Sequence, residues 1–128
     1  MNRVYRVSIL VLAVYFFLIA YAHATVTFAP YQSYPAIANP SEALVADFNG
    51  DGLADFAVAN ANIDKISVYL GNANFVFSAP VNYATGDYPV GVATADVNSD
   101  TYPDLATINK NGPSISWFYG QGNGNFVI

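Results

Sequence analysis

The stretch DFNGDGLAD, residues 47–55, recurs as DVNSDTYPD at residues 96–104, which is 49 positions later. Both copies place an oxygen-bearing side chain at positions 1, 3, 5 and 9, and together they hold six of the nine acidic residues of the chain. So much negative charge in a short loop is unfavourable unless a cation neutralises it, and oxygen ligands at alternate positions suit a hard ion such as calcium. The sequence therefore predicts a calcium-dependent repeat protein.

The repeat extends well beyond these acidic stretches. Residues 44–47 match 93–96, residues 56–60 match 105–109, and residues 66–71 match 115–120 at the same offset. At residues 122–125 we expect two extra residues, so that Phe126 falls out of step with its aromatic counterpart Phe75. A third, partial copy precedes both. A period near 50 residues, made of short apolar runs between Gly, Asn, Asp and Pro, is typical of four-stranded blades or solenoid turns.

Each full copy predicts four strands, which in the first copy cover about residues 43–46, 56–60, 66–70 and 77–83. The acidic stretch is then the hairpin between the first two strands. The consecutive apolar residues from Phe56 to Ala59 indicate a strand that is covered on both faces, as in stacked sheets. The predicted fold class is all-β, with about two to two and a half propeller-type blades: a partial blade at 28–40, a blade at about 41–89 and a partial blade at about 90–128.

The first 24 residues predict a helical signal peptide rather than part of the fold. Arg3 and Arg6 precede an apolar run from Val7 to Tyr21, and the small-x-small sequence AHA at residues 22–24 follows it. An uncleaved membrane anchor is the alternative, although the run is shorter than the roughly 20 residues that a spanning helix needs. The signal peptide predicts a secreted chain. Its removal leaves two lysines against nine carboxylates, a net charge of -7, so we do not expect the chain to bind nucleic acid.

Three strings of the first copy together indicate a family. VADFNGDGLADF (residues 45–56) is followed by SVYLGN (67–72) and by FSAP (77–80), and this series resembles the FG-GAP repeats of the integrin α-chain head and the VCBS-type repeats of secreted proteins. The Phe-Gly pair of the family's name is missing, which favours the VCBS-like branch. The resemblance implies a β-propeller whose blade hairpins bind calcium.

By the same resemblance, each loop would hold its ion with four side-chain oxygens and one backbone carbonyl. The implied ligands are Asp47, Asn49, Asp51, the carbonyl of Leu53 and Asp55 in the first loop, and Asp96, Asn98, Asp100, the carbonyl of Tyr102 and Asp104 in the second. Thr101 replaces the glycine of the first loop at a tight turn where a β-branched residue is strained. We therefore expect the second loop to bind calcium more weakly.

Other readings of the acidic loops are less consistent with the sequence. An EF-hand or dockerin loop needs an acidic ligand at position 12, where the two copies have Val58 and Thr107. A two-carboxylate glycosidase site stays open on residue types alone, but these acids lie in one local loop instead of facing each other across a cleft. Trp117, Phe118 and Tyr119 are expected in the core rather than on a ligand-stacking surface.

The sequence thus favours a secreted calcium-binding module without catalytic residues, acting in extracellular binding or adhesion. The expected ligand is an extracellular protein or glycan, and calcium has a structural role that compensates for the absence of cysteine. The alternative is an accessory or fragmentary portion of a larger extracellular enzyme, for example a hydrolase or lyase. About two and a half blades do not close a ring, so we also expect self-association or additional blades.

Overall fold

A computed structural model describes residues 30–34 and 38–128 of the chain. Contacts divide the chain into a unit over residues 1–33, in which the described residues 30–33 have no regular secondary structure, and a unit over residues 34–128, in which the strands described below lie. The predicted signal helix, and residues 28–29 and 35–37 of the partial blade at 28–40, lie outside the described residues. In the part of the chain that is described, no helix is long and apolar enough to cross a membrane.

Residues 40–127 form two four-stranded antiparallel sheets in which the strands follow one another in chain order. The first sheet consists of β1 (Pro40–Ala46), β2 (Asp55–Asn60), β3 (Lys65–Tyr69) and β4 (Val81–Ala84), with a 3-10 turn at Ala61–Ile63 between β2 and β3. The second consists of β5 (Pro89–Ala95), β6 (Asp104–Asn109), β7 (Ser114–Gly120) and β8 (Phe126–Val127). The predicted all-β fold of propeller-type blades is confirmed, as is the hairpin position of the acidic stretches.

The strand β2 shows why its sequence lacks alternation. Every residue of β2 except Phe56 is buried, because β1 and β3 flank it within the sheet and other side chains cover both of its faces. A strand buried on both sides has no solvent-facing positions that would favour polar residues. The predicted covering of both faces is therefore confirmed for β2.

The 49-residue equivalence continues through the turn after the third strand, so the expected two extra residues at 122–125 are wrong. The Asn72 amide donates to the carbonyl of Val76 at 3.1 Å, and 49 positions later the Gln121 amide donates to the carbonyl of Asn125 at 3.0 Å. The turn has the same length in both copies.

The error came from matching aromatic residues by type instead of by turn position. Phe75 has a left-handed backbone with φ of 57°, and its counterpart is Gly124, with φ of 81°. Phe126 consequently corresponds to Phe77, and β8 corresponds to residues 77–78 rather than to β4. Glycine adopts the left-handed turn without strain, whereas phenylalanine does so at a cost of about 1–2 kcal/mol.

The hydrophobic core lies between the two sheets and draws on both. It consists of Phe48, Ala57, Ile66, Val68, Leu105, Phe118 and Phe126. Phe126 lies edge-on to both Phe48 and Tyr83, with ring centroids 5.5 Å and 5.7 Å apart. These contacts join the first acidic loop, β4 and the end of the chain in one cluster.

The prediction that three consecutive aromatic residues of β7 are in the core is correct for Phe118 and wrong for its neighbours. Phe118 is buried, whereas Trp117 and Tyr119 are exposed. Successive side chains of a strand point to opposite faces, so only one face of β7 meets the first sheet. The other face carries a tryptophan and a tyrosine toward solvent.

Each sheet has buried polar side chains at the end of its second strand. The Asn60 amide nitrogen donates to Ser67 Oγ at 2.8 Å, while Asn60 Oδ1 is buried and has no hydrogen-bond donor among the described residues. In the second sheet the corresponding oxygen of Asn109 accepts a bond of 3.3 Å from Thr107 Oγ1. The first sheet lacks this bond because Val58 occupies the position of the threonine.

Candidate functional site

The two acidic loops connect the first and second strands of each sheet. Residues 47–54 join β1 to β2, and residues 96–103 join β5 to β6. The pairs Ala46↔Asp55 and Ala95↔Asp104 close the two hairpins at the same step. The structure therefore places all four polar positions of each loop on one hairpin.

Asp47 organises the first loop by accepting backbone hydrogen bonds. The Gly50 amide donates to Asp47 Oδ1 at 2.8 Å, and the Gly52 amide donates to Asp47 Oδ2 at 2.8 Å. The hydrogen bond from the Gly52 amide has the largest effect on the pKa of this carboxyl group and lowers it. Partial desolvation raises the pKa, and hydrogen bonds from further loop amides lower it again. The pKa of Asp47 consequently lies below its ordinary value, so the group is ionised at neutral pH.

The oxygens at positions 1 and 3 of this loop converge on the amide of position 5. The Asp51 amide donates to Asp47 Oδ1 at 3.2 Å and to Asn49 Oδ1 at 3.0 Å. The Asp51 carboxylate in turn accepts from Asn49 Nδ2 at 2.9 Å and from the Leu53 amide at 2.8 Å. These hydrogen bonds connect the three side chains within the loop.

The second loop repeats this arrangement. The Asp100 amide donates to Asp96 Oδ1 at 3.1 Å and to Asn98 Oδ1 at 3.0 Å, and the Tyr102 amide donates to Asp100 Oδ1 at 2.8 Å. Thr101 takes the left-handed conformation, φ 76°, that Gly52 has in the first loop at 79°. The strained backbone expected at Thr101 is therefore present.

A second left-handed residue in this loop was missed by sequence reasoning. Ser99 has φ of 63° where the first loop has Gly50 at 74°. The signal was available, because a second Gly to non-Gly difference separates the two loops at that position. The second loop thus contains two strained turn positions instead of one.

The acid at position 9 of each loop has a different environment from the other three ligand candidates. Asp55 is fully buried; its Oδ2 accepts from the Phe48 amide at 2.8 Å, and its Oδ1 accepts from the Gly71 amide at 2.8 Å. Asp104 binds the amides of Val97 and Gly120 at 2.9 and 2.8 Å in the same way. Each of these carboxylates therefore joins its acidic loop to the end of the third strand of its sheet.

The glycine at the end of the third strand makes this contact possible. A Cβ on Gly71 would overlap the carbonyl oxygen of Ala54, and a Cβ on Gly120 would overlap that of Pro103. Only glycine allows the loop and the strand end to approach so closely. Sequence reasoning gave these two glycines no role, although both end the matching segments at residues 71 and 120.

The donor set fits calcium in its chemistry. Asp47, Asn49 and Asp51 each have a side-chain oxygen that can serve as a ligand, which is what a hard divalent ion prefers, and the second loop has the same three residue types. Among the described residues, no three His, Cys, Asp or Glu side chains converge as they would in a carboxylate-only cage. A site here would therefore combine two carboxylates with an amide oxygen and a backbone carbonyl.

Comparison with known proteins agrees with the repeat. Residues 47–107 match a family described as FG-GAP-like repeat, and residues 88–128 match one described as FG-GAP repeat. No curated protein and no solved structure is significantly similar to the chain. The two matches together span both acidic loops and every strand from β2 to β8.

Proposed function

The chain belongs to the FG-GAP repeat family, and from this premise we propose that it is a secreted, non-catalytic binding module whose acidic hairpins hold structural calcium. The family supports an extracellular-type repeat module. The calcium, the secretion and the binding role are the parts that we add. The observation that carries the calcium proposal is the convergence of Asp47 Oδ1 and Asn49 Oδ1 on the Asp51 amide, together with an Asp51 carboxylate that Asn49 Nδ2 and the Leu53 amide hold within the same loop.

The residues of the first loop that would hold calcium are Asp47, Asn49, Asp51 and the carbonyl of Leu53. Asp47 Oδ1 accepts two backbone amides, whereas Asp47 Oδ2 and the two oxygens of Asp51 accept one hydrogen bond each, which leaves each of these three oxygens a lone pair for an ion. Carboxylates on the order of 5 Å apart repel each other by roughly 3 kcal/mol at an effective dielectric of 20. Bound calcium would supply the charge that removes this repulsion and would stiffen the hairpin.

Asp55 would contribute to the site indirectly or with its remaining lone pairs, because both of its oxygens already accept backbone amides. The second loop would hold calcium with Asp96, Asn98, Asp100 and the carbonyl of Tyr102, and Asp104 has the position of Asp55. Its binding is expected to be weaker, since two of its turn residues are strained before the ion arrives.

Calorimetric titration with calcium and thermal unfolding in calcium or EGTA test this proposal. We expect calcium at about a hundred times its dissociation constant to stabilise the fold by about 2.7 kcal/mol, which corresponds to roughly 10–20 °C in a domain of this size. In Asp51→Asn that calcium-dependent shift should shrink strongly. In EGTA the same variant should be at least as stable as the parent, because it removes a like-charge repulsion while keeping an oxygen for the Leu53 amide.

Asp87→Asn is the matched control, since Asp87 is an exposed acid outside both loops. It should leave the calcium response unchanged. The absence of calcium uptake at millimolar concentration by the folded parent would refute the metal site. Equal calcium responses of Asp51→Asn and the parent would refute its assignment to the first loop.

Secretion and binding need tests of their own. N-terminal sequencing of protein recovered from the culture medium should give a start after Ala24, and a start before Val7 would contradict cleavage of the signal. For the binding role, the calcium-loaded protein is screened against extracellular proteins and glycans. Binding that EGTA abolishes would support a calcium-stiffened module, whereas hydrolysis of a glycan in the same screen would favour the enzyme alternative.

A further inference from the structure

The two sheets differ in what covers one pair of equivalent faces. Ile66 and Val68 of β3 are 0% and 1% exposed because the second sheet packs on them, whereas their counterparts in β7, Ile115 and Trp117, are 56% and 43% exposed. Burial of the face in the first sheet explains its apolar residues. The same face of the second sheet is apolar without such a covering.

The difference extends over the whole face. Phe48 is 1% exposed, and its counterpart Val97 is 46% exposed. Ala59 is fully buried, and its counterpart Ile108 is 59% exposed and larger. Several exposed apolar side chains on one sheet face form a patch of the kind that marks a protein–protein contact. We call this patch, formed by Val97, Ile108, Ile115 and Trp117, the outer face of the second sheet.

A groove of about 420 Å³ runs along this outer face. Its walls include Val92, Ala106, Ile108, Ile115 and Trp117, and Glu42 is the acidic residue among the described residues that line it. The carboxylate of Glu42 already accepts the Val92 amide at 2.9 Å. The groove is therefore lined mainly by apolar side chains, with one carboxylate that a backbone amide holds in place.

The contact between the two sheets shows which surface fits such a face. Against the first sheet, the second presents Leu105, Phe118 and Phe126, and Tyr83 packs on the last of these at 5.7 Å between ring centroids. The repeat counterparts of these residues, 49 positions earlier, form an aromatic face on the far side of the first sheet. They are Phe56, Tyr69, Phe77 and Tyr34.

This aromatic face reproduces the geometry of its counterpart. Tyr34 lies edge-on to Phe77 at 5.1 Å, as Tyr83 does to Phe126, and Phe56 stacks on Tyr69 at 4.3 Å. Tyr69 is buried, while Tyr34, Phe56 and Phe77 are half-buried and keep part of their surface accessible. One copy of the chain thus carries both halves of an interface that it also contains internally.

We infer that two copies of this chain associate head to tail, with the outer face of the second sheet of one copy against the aromatic face of the other. The partner is a second copy because the contact continues, 49 residues further along, an interface that already exists within the chain. Such a contact is heterologous, because the two copies contribute different surfaces to it.

The sheet edge next to this face supports the same orientation. In the first sheet β3 pairs with β4 on its outer side, with Ile66 opposite Tyr83. In the second sheet, residues 114–118 of β7 have no strand on their outer side among the described residues. Head-to-tail docking brings Tyr34 of the incoming copy, the counterpart of Tyr83, beside Ile115, the counterpart of Ile66.

Sedimentation velocity over a concentration series tests the association. The full chain is expressed in a secretory host and purified from the medium, and its folding is checked by circular dichroism. We expect the parent to form dimers and larger species as its concentration rises. Ile115→Glu should weaken this association about tenfold or more, because it places a charge in an apolar contact. Val81→Glu is the matched control, since Val81 is a strand residue with 44% exposure outside both faces.

Cross-linking decides the orientation, because the chain has no cysteine of its own. Within the chain Ser41 Oγ donates to the carbonyl of Pro89 at 2.7 Å. The repeat equivalents of these two residues are Val90 and Pro40, so in the proposed contact Val90 of one copy lies beside Pro40 of the next. A mixture of Val90→Cys and Pro40→Cys should cross-link with a short bismaleimide, and each variant alone should not.

Three outcomes would overturn the inference. They are a parent that stays monomeric at every concentration, equal effects of Ile115→Glu and Val81→Glu, and efficient cross-linking of Val90→Cys with itself. The last result would mean that the outer faces meet back to back.

Discussion

Replacing Asp55 with asparagine tests the buried link between the first acidic loop and the end of β3. The carboxylate has no exposed surface, and its two oxygens accept the amides of Phe48 and Gly71, both at 2.8 Å. Asparagine has the same shape but only one acceptor. Its NH₂ group would therefore face a backbone N–H, and one of the two amides would lose its partner.

The structure gives a magnitude for this loss. A buried donor without an acceptor costs about 1–3 kcal/mol, and the remaining bond weakens because its acceptor is no longer charged. We expect Asp55→Asn to lower the free energy of unfolding by about 2–3 kcal/mol. A domain of this size has a total stability of about 5–15 kcal/mol, so the variant should remain folded at 25 °C.

Urea unfolding in EGTA is the appropriate assay, because it separates the link from any contribution of calcium. The midpoint should fall while the slope stays constant, which identifies a change in stability rather than in the unfolded state. Asp87→Asn is the control and should change stability by less than about 0.5 kcal/mol. A loss below about 0.5 kcal/mol in Asp55→Asn would refute the claim that the two amide bonds hold the loop to β3.

Three further predictions concern local features of the fold, and each is tested by urea unfolding. Thr101→Gly should stabilise the chain by about 0.5–1 kcal/mol, since the threonine holds φ at 76°, and an unchanged or lower midpoint would argue against strain there. Because the pKa of Asp47 is lowered in the folded chain, its stabilising contribution is present above the unfolded value near 3.8 and is lost as the pH falls below it. The midpoint of the parent should therefore fall below about pH 4 more steeply than that of Asp47→Asn, and parallel pH profiles would contradict this. Val58→Thr should leave the free energy of unfolding unchanged or raise it, because the new hydroxyl can donate to the unpaired Asn60 Oδ1. Val68→Thr, at an apolar core position, should lower the free energy of unfolding by about 1–2 kcal/mol. Equal losses in the two variants would show that the Asn60 oxygen already has a partner.

The fold was predictable from the sequence because its signals are local and occur twice. Turn residues separate short apolar runs, and the fixed offset of 49 residues shows that both copies use the same hairpin. The turn after the third strand was misread for a physical reason. There a glycine in one copy and Phe75 in the other adopt the same left-handed backbone, so residue type does not reveal the equivalence.

The candidate site was predictable in its composition but not in its division of roles. The alternating oxygens of Asp47, Asn49 and Asp51 follow from the sequence, because their spacing alone places them around one turn. The burial of Asp55 does not follow, since its partner Gly71 is 16 residues away and the approach depends on the third strand. The exposure of Trp117 was equally hidden, because a strand shows which side chains share a face but not what covers that face.

The two kinds of acid in each loop separate the stability of the fold from its response to calcium. Asp55 and Asp104 bind amides from two segments of their own sheets, and these bonds are made without an ion. The acids at positions 1 and 5 bind amides only within the loop, so neutralising their charge affects the hairpin locally. Asp55→Asn should therefore lower stability by a similar amount in calcium and in EGTA, while Asp51→Asn should lower it in calcium only. If both variants instead lost stability only in calcium, the acid at position 9 would be primarily a metal ligand and the structural link to the third strand would be secondary.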